Sequence, residues 1–439
     1  MFRRKRSSIL ILLLAIVLLG WISTGQVNRV VQAEASPQYQ DLELFTDVLS
    51  IVGKSYVEEV PMKDLIYGAI NGMLASLDPH SGFMPPEMFK EMQIDTSGEF
   101  GGVGIEITVK DGILTIVSPI EDTPAYLAGL QAGDQILKIE EKYTKDMGIM
   151  EAVKMMRGTK GSKVSITIMR DSFDKPREFI LVRELIKIRS IKARTLEDGF
   201  GYVRVTQFQE RTAEDLLAAL DGLRKENSGS LLGLVLDLRN NPGGLLDQAV
   251  KVSDAFLESG LIVYTEGREE GSQMKFIAHQ KGTEPQYPMV ILINGGSASA
   301  AEIVAGALQD HRRGVVMGTQ SFGKGSVQTI IPLGDNSGLR LTTARYFTPN
   351  GTSIQARGIT PDIVVHPGEI KEEADGSHFR EKDLKNHFET PDKPEQESPS
   401  GPMQKFSLDE EALGDYQLIR ALDLLKGWKI LKGLERPAA

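Results

Sequence analysis

Three short stretches hold the residues whose types and spacing can do chemistry. The first is Asn294-Gly295-Gly296-Ser297-Ala298-Ser299-Ala300-Ala301-Glu302, which separates an apolar run from a segment with helical spacing. A serine on a strand-to-helix turn projects at the carboxyl edge of a sheet, where α/β folds place their active sites. The helix start adds unpaired backbone N–H groups and positive potential, both of which favour an oxyanion. A serine at this position also serves as an ordinary helix cap, and local sequence leaves both readings open. The second stretch is Ser321-Phe322-Gly323-Lys324-Gly325-Ser326-Val327-Gln328. Glycines on both sides let the backbone at Lys324 approach other chain closely. Burial would disfavour the ammonium and make the amine a base near neutral pH; left in solvent, it is a loop-tip charge. Gln328 is four residues on, a spacing that shares a face in a strand, so its amide can orient the amine. The third stretch, Asp237-Leu238-Arg239-Asn240-Asn241-Pro242-Gly243-Gly244, offers a Gly-Gly turn whose N–H groups can hold an anion, or a plain strand-to-helix turn.

Other chemistries find little support. The 439 residues include no cysteine, which removes thiolate nucleophiles, thiolate metal sites and disulfides. None of the six histidines, among them His80, His279 and His311, sits at catalytic or metal-ligand spacing. There is neither a His-Glu-x-x-His zinc motif nor a phosphate-cradling Gly-x-x-x-x-Gly-Lys-Ser/Thr loop. A net charge of -10 argues against nucleic acid as partner.

The elements that must position these stretches follow from periodicity. Leu231–Leu238 and Met289–Ile293 are apolar without alternation, as in strands buried on both faces. Tyr202–Thr206 and Val315–Met317 are read as further strands, and Ala213–Leu223, Gln248–Glu258 and Ser299–Gln309 as helices between them. This order predicts an α/β core with a largely parallel sheet. Upstream, Ile105–Val109, Ile113–Val117 and Val164–Met169 alternate like strands, with short helices at Pro124–Gly129 and Met150–Met156. Residues 38–94 have helical spacing, broken at Asp78-Pro79, and Leu413–Leu434 regains it.

Together the motifs resemble the carboxyl-terminal processing peptidases, or tail-specific proteases. The resemblance rests on Gly-Ser-Ala-Ser-Ala-Ala-Glu-Ile at 296–303, Phe-Gly-Lys-Gly-Ser-Val-Gln at 322–328 and Asp-Leu-Arg-Asn-Asn-Pro-Gly-Gly at 237–244. Ser-Leu-Asp-Pro-His-Ser at 76–81, Gly-Gly-Val-Gly-Ile-Glu at 101–106 and Gln-Leu-Ile-Arg-Ala-Leu-Asp at 417–423 add to it. It covers nearly everything after the first 35 residues, with Ala301 standing where many relatives carry a third serine. It implies a multidomain α/β fold: a helical N-terminal region, a PDZ-like β domain, and a crotonase/ClpP-like protease core with a C-terminal helical tail. It implies a serine endopeptidase with Ser299 as nucleophile, Lys324 as base and Gln328 supporting the lysine, needing no metal or cofactor. The oxyanion would lie against the N–H of Ala300 and of Gly243 or Gly244. The PDZ-like domain would hold a substrate's terminal carboxylate at Gly101, Gly102, Val103 and Gly104 and pair its tail along the strand from Ile105. Arg157 is a candidate relay from bound tail to protease, since family members use an arginine near this position; its alternative is a solvated helix-end charge.

Arg3, Arg4, Lys5 and Arg6 before the apolar run Ile9–Ile22 form an export signal, which places the rest outside the cytoplasm on the periplasmic side of the cell envelope. The run is short of the about 20 residues of a full span, and cleavage near Ala33-Glu34-Ala35 or retention as an inner-membrane anchor both remain open. The expected division is 1–35 export signal or anchor, 36–95 helical region, 96–183 PDZ-like domain, 184–367 protease core, 368–404 acidic linker and 405–439 C-terminal helix. Expected partners are proteins or peptides with accessible C-terminal tails, and further copies of the chain through its terminal helices. Two rivals stand beside the enzyme: a tail-capturing module with an inert core, and a structural oligomer.

Overall fold

The computed structural model describes residues 37–145, 147–197, 199–269, 271–368 and 414–434. The export signal expected at 1–35 and almost all of the acidic linker expected at 368–404 lie outside the described residues. Among those described, no helix is long and apolar enough to cross a membrane. Contacts divide the chain into Met1–Pro79 and His80–Ala439. The first unit contains helices Pro37–Ser55, which carries Leu42, Phe45, Leu49 and Val52 at helical spacing, and Met62–Ala75.

In the second unit the strands Ile191–Glu197, Phe200–Val205, Gly233–Asp237, Met289–Ile293, Val315–Gly318 and Ile363–Val364 lie side by side in chain order. The first pair is antiparallel and the rest are parallel. Every residue of the two central strands is buried, which is why their sequences do not alternate. Leu234, Leu236, Ile291 and Ile293 pack with helices Thr212–Glu226, Leu246–Asp254 and Ala300–Asp310. Val235, Val290 and Leu292, pointing the other way, pack with Leu418, Leu422 and Leu425 of the helix Tyr416–Leu434. The C-terminal helix therefore closes the second face of the sheet.

Residues 105–182 form a separate sheet in the order Ile105–Lys110, Ile113–Pro119, Gln135–Ile139, Lys163–Met169 and Arg177–Val182, with helices Pro124–Leu127 and Ile149–Met156. Its core is Leu114, Ile116, Ile136, Ile166 and Ile168. The chain enters and leaves this domain through an antiparallel ribbon, Glu99–Gly102 against Glu184–Lys187.

One antiparallel sheet was not expected. Its central strand Gly338–Phe347 pairs with Gly82–Met84, Ser326–Pro332 and Leu261–Gly267, and the last of these pairs with Met274–Ile277. The helix expected at Gln248–Glu258 ends at Asp254, although Ala255, Phe256 and Leu257 stay buried. Burial there continues the apolar pattern after the helix has stopped.

Candidate active site

The strands Gly233–Asp237, Met289–Ile293 and Val315–Gly318 are consecutive neighbours, so the loops leaving their carboxyl ends sit side by side. Those loops are the three motif stretches. Cross-bonds hold them in register: Ala298 N–H donates to Asn241 O at 2.9 Å, Phe322 N–H to Ser297 O at 3.0 Å, and Asn240 N–H to Asn294 Oδ1 at 2.9 Å.

The two serines of the first motif separate here. Ser297 is fully buried; its hydroxyl donates to Leu238 O at 2.8 Å and accepts from Asn294 N–H at 3.0 Å. Ser299 lines an open cleft of about 270 Å³ that it shares with Lys324 and Gln328. Its backbone adopts φ 56 and ψ −115, a strained conformation for a residue with a side chain, worth about 1–3 kcal/mol. Gly243 makes this turn possible, because a Cβ there would lie 2.7 Å from Ser299 Cβ.

What offsets the strain is Glu302, three residues on. Its fully buried carboxylate accepts from Ser299 N–H at 2.7 Å, Ser321 Oγ at 2.6 Å, Gly323 N–H at 2.6 Å and Lys324 N–H at 2.9 Å. One side chain thus ties the serine turn to the lysine loop. The Ser-x-x-Glu spacing of a capping box was readable at 299–302, but not the reach to the second loop.

Lys324 is half-buried, and burial together with the nearby Arg340 charge lowers its affinity for a proton, with Glu302 partly opposing. Among the described residues Lys324 Nζ has no hydrogen bond, and none joins it to Ser299. Lys324 lies before the strand, which begins at Ser326, and the register shifts between Val327 and Gln328. The shared strand face expected for Lys324 and Gln328 is therefore replaced by a shared cleft. Gln328 Nε2 donates to Thr342 Oγ1 at 3.0 Å and Ser326 Oγ at 3.2 Å, while its Oε1 is buried without a partner among the described residues. That acceptor suits an ammonium arriving from Lys324.

Sequence reasoning missed Tyr346, whose hydroxyl is 2.9 Å from Ser299 Oγ and bonds the backbone carbonyl of Lys324. It is buried, which pushes its hydroxyl well above the ordinary tyrosine range. No motif marks it, because its strand reaches the cleft only by tertiary pairing.

Of the anion-holding candidates, Gly243 N–H is already donated to Asn241 Oδ1 at 2.9 Å. Gly244 and Ala300 both line the cleft, and neither N–H has a backbone acceptor among the described residues. At the tail-binding candidates, Gly101 and Gly102 are paired with Leu185 and Glu184. Val103 and Gly104 follow that ribbon, and among the described residues neither N–H is donated to another backbone group. Ile105 opens a strand at the edge of its sheet, which leaves one side free. Arg157 hydrogen-bonds Glu91 and stacks 4.7 Å from the ring centre of Phe100. Glu91 lies on helix Pro86–Ser97, whose Met92 and Thr96 line the same cleft as Ser299 and Lys324.

Residues 199–365 match the family model for peptidase family S41, residues 101–179 that for the PDZ domain, and residues 21–88 that for the activating protease CtpB N-terminal domain. A carboxy-terminal-processing protease of Bartonella bacilliformis is 49% identical over 391 residues, covering 89% of this chain and 89% of that protein. The carboxy-terminal processing protease CtpA of Bacillus subtilis is 34% identical over 368 residues, covering 83% of this chain and 78% of its own length. Among solved structures, the photosystem II D1 C-terminal processing protease is 30% identical, covers 74% of this chain and 92% of its own, and superposes with a TM-score of 0.43.

Proposed function

Since the chain belongs to the carboxyl-terminal processing proteases, serine-type peptidases that carry a PDZ domain, we propose that Ser299 and Lys324 are its catalytic dyad and that proteins of the cell envelope with accessible apolar tails are its substrates. The observation that carries this reading is the meeting in one cleft of a serine on a strained turn and a half-buried, charge-disfavoured lysine. Neutral Lys324 takes the Ser299 proton, and the oxygen attacks the scissile carbonyl. The N–H groups of Ala300 and Gly244 hold the oxyanion, each such donor being worth roughly 3–4 kcal/mol of barrier. Lys324 then protonates the leaving amine, and water releases the acyl group. When Lys324 is protonated, Gln328 Oε1 receives one of its N–H bonds. Phe208, Leu246, Ile303 and Val327 line the same cleft and favour an apolar side chain next to the cut. The envelope assignment rests on the cationic and apolar N-terminus, and fractionation of cells producing the full chain tests it.

The neutral lysine is the active form, so kcat/KM on a tail-bearing peptide falls as pH drops through the lowered Lys324 value and levels off above it. Arg340→Gln removes a charge that disfavours the ammonium and moves this acid limb to higher pH. A rate that stays level between about pH 5 and 9 removes Lys324 from the role of base.

We further propose that Val103 and Gly104 receive the tail's carboxylate, that the Ile105 edge pairs with the tail, and that Arg157 relays its arrival through Glu91 to the cleft-lining helix. Arg157→Ala then lowers tail-stimulated cleavage roughly tenfold, the size of an ordinary coupling energy, with tail affinity retained in a binding titration. Undiminished stimulation discards the relay.

A further inference from the structure

The anion-holding loop is rooted in a buried charge cluster that joins it to the far end of the chain. Arg239 opens the loop 239–244, just after the strand Gly233–Asp237. Its guanidinium is largely buried between two carboxylates. Nε donates to Asp237 Oδ1 at 3.0 Å and Nη2 to Asp237 Oδ2 at 2.7 Å. On the other side, Nη1 and Nη2 donate to the two oxygens of Asp415 at 2.8 and 2.6 Å, and Nη1 also to Gln417 Oε1 at 3.0 Å. Asp237 is fully buried and accepts further bonds from Arg239 N–H at 2.9 Å and the Tyr202 hydroxyl at 2.8 Å. Asp415 stands just before the helix Tyr416–Leu434 and accepts from Leu418 N–H at 3.1 Å.

Burying such a cluster is a poor route to stability, because desolvating a guanidinium and two carboxylates offsets most of their attraction. What forked bonds supply is direction. Leu418, Leu422 and Leu425 hold the helix Tyr416–Leu434 on the sheet, and non-directional contact of that kind fixes register less sharply. The clamp fixes it, and the residues after Arg239 carry its position into the site. Asn240, at a left-handed φ of 56, donates its N–H to Asn294 Oδ1 at 2.9 Å. Asn241 O receives Ala298 N–H, and Asn241 Oδ1 receives Gly243 N–H, each at 2.9 Å. A displacement of Arg239 is therefore passed to Gly244 along the loop and, across Asn241, to the turn before Ala300. Those two residues carry the N–H groups assigned to the oxyanion.

We propose that Arg239 and Asp415 are positioning residues for proteolysis: through their forked bond, the start of the C-terminal helix sets where the N–H groups of Gly244 and Ala300 point. This rests on the Ser299/Lys324 reading above and gives the stretch that begins at Gln417 a part in the chemistry. Neither side chain lines the cleft, so both act through the loop. Beyond its own burial, the charges acting on the Lys324 amine are those of Arg340 and Glu302. The clamp thus works on the oxyanion and not on the base. Burial favours the neutral acid at Asp415, but the Arg239 guanidinium beside it holds the carboxyl below the usual carboxylate range. The clamp therefore stays closed wherever ordinary carboxylates are ionised.

The test is Asp415→Asn in the full chain, with kinetics on a tail-bearing peptide and binding of a peptidyl aldehyde. The aldehyde forms a tetrahedral adduct at Ser299 and so samples the oxyanion position. Asparagine keeps the helix cap and removes the charge. Both kcat and aldehyde affinity should fall about tenfold, a part of the loss expected for a whole oxyanion donor. KM should hold and the acid limb of the rate profile should not move. Arg239→Lys keeps the charge without the fork and should show the same paired fall. If that variant fails to fold, Asp415→Asn alone decides. A merely structural clamp would lower Tm and leave kcat and aldehyde affinity per folded molecule at the wild-type level, which overturns the proposal. A fall in kcat with undiminished aldehyde affinity overturns it too, since the effect then lies outside the oxyanion step. A wild type that neither cuts the peptide nor takes up the aldehyde overturns the Ser299/Lys324 reading itself and the clamp's role with it, which separates the two failures.

Discussion

Ser299→Ala leaves an unfolded protein with an apolar tail uncut, whereas the wild-type chain reduces it to fragments that mass spectrometry resolves. The expected loss in kcat is on the order of 10⁴- to 10⁶-fold, because members of a nucleophile–base unit fail together when either is removed. Lys324→Ala belongs to the same class for the same reason. The informative comparison is Ser297→Ala. That hydroxyl is spent inside the fold, on Leu238 O and Asn294 N–H. Its removal should cost about 1–3 kcal/mol of stability, read as a lowered Tm, with cleavage per folded molecule largely kept. If Ser297→Ala were the dead variant and Ser299→Ala the active one, the nucleophile would be misassigned. If neither wild type nor variant cut while both bound tails, the rival reading of a tail-capturing module with an inert core would stand.

How much of this was legible before any coordinates differs from element to element. The parallel core was legible because Gly233–Asp237 and Met289–Ile293 are buried on both faces, and an unbroken apolar run signals that burial locally. The three motif loops were legible as clusters. Their adjacency then followed from strand order, since each loop leaves the carboxyl end of a neighbouring strand. The antiparallel sheet around Gly338–Phe347 was not legible. Arg340, Thr342, Thr343 and Arg345 interrupt its apolar pattern, and one of its pairings joins Gly82 to Arg340 across most of the chain. No window of sequence carries such a contact, and Tyr346 reaches Ser299 only because that sheet exists. That Gly243 N–H is already engaged, leaving Gly244 as the candidate anion donor, was out of reach for a related reason. It turns on which way the Asn241 amide points, and Gly243 N–H is already taken by it.

Glu302→Gln should be the second most damaging change, although it swaps one oxygen for one nitrogen. The carboxylate serves four donors, and among the described residues no other side chain joins the serine turn to the lysine loop in this way. Oε2 receives Ser299 N–H and Lys324 N–H; Oε1 receives Gly323 N–H and the Ser321 hydroxyl. An amide must turn its NH₂ toward one of these pairs. Toward the first it faces two backbone N–H groups, neither of which can accept. Toward the second, Gly323 N–H is left without an acceptor. The Ser321 oxygen already accepts from Ile359 N–H at 2.6 Å, so it must also redirect its own proton. Either orientation leaves at least one buried donor unsatisfied, at about 1–3 kcal/mol each, and removes a negative charge from the first turn of the helix at Ala300, where the helix dipole favours it. Thermal unfolding should show the lost stability. Activity should fall by about 10²-fold or more, since displacement of a reacting group by about 1 Å costs that much. The residual activity carries a signature of its own. Glu302 raises the proton affinity of Lys324, so Glu302→Gln should move the acid limb of the rate profile to lower pH, opposite to Arg340→Gln. A Glu302→Gln enzyme with wild-type rate and melting temperature would mean that the two loops hold their positions without the carboxylate. The strain at Ser299 would then have to be borne by the cross-bonds from Asn241, Ser297 and Asn294 alone.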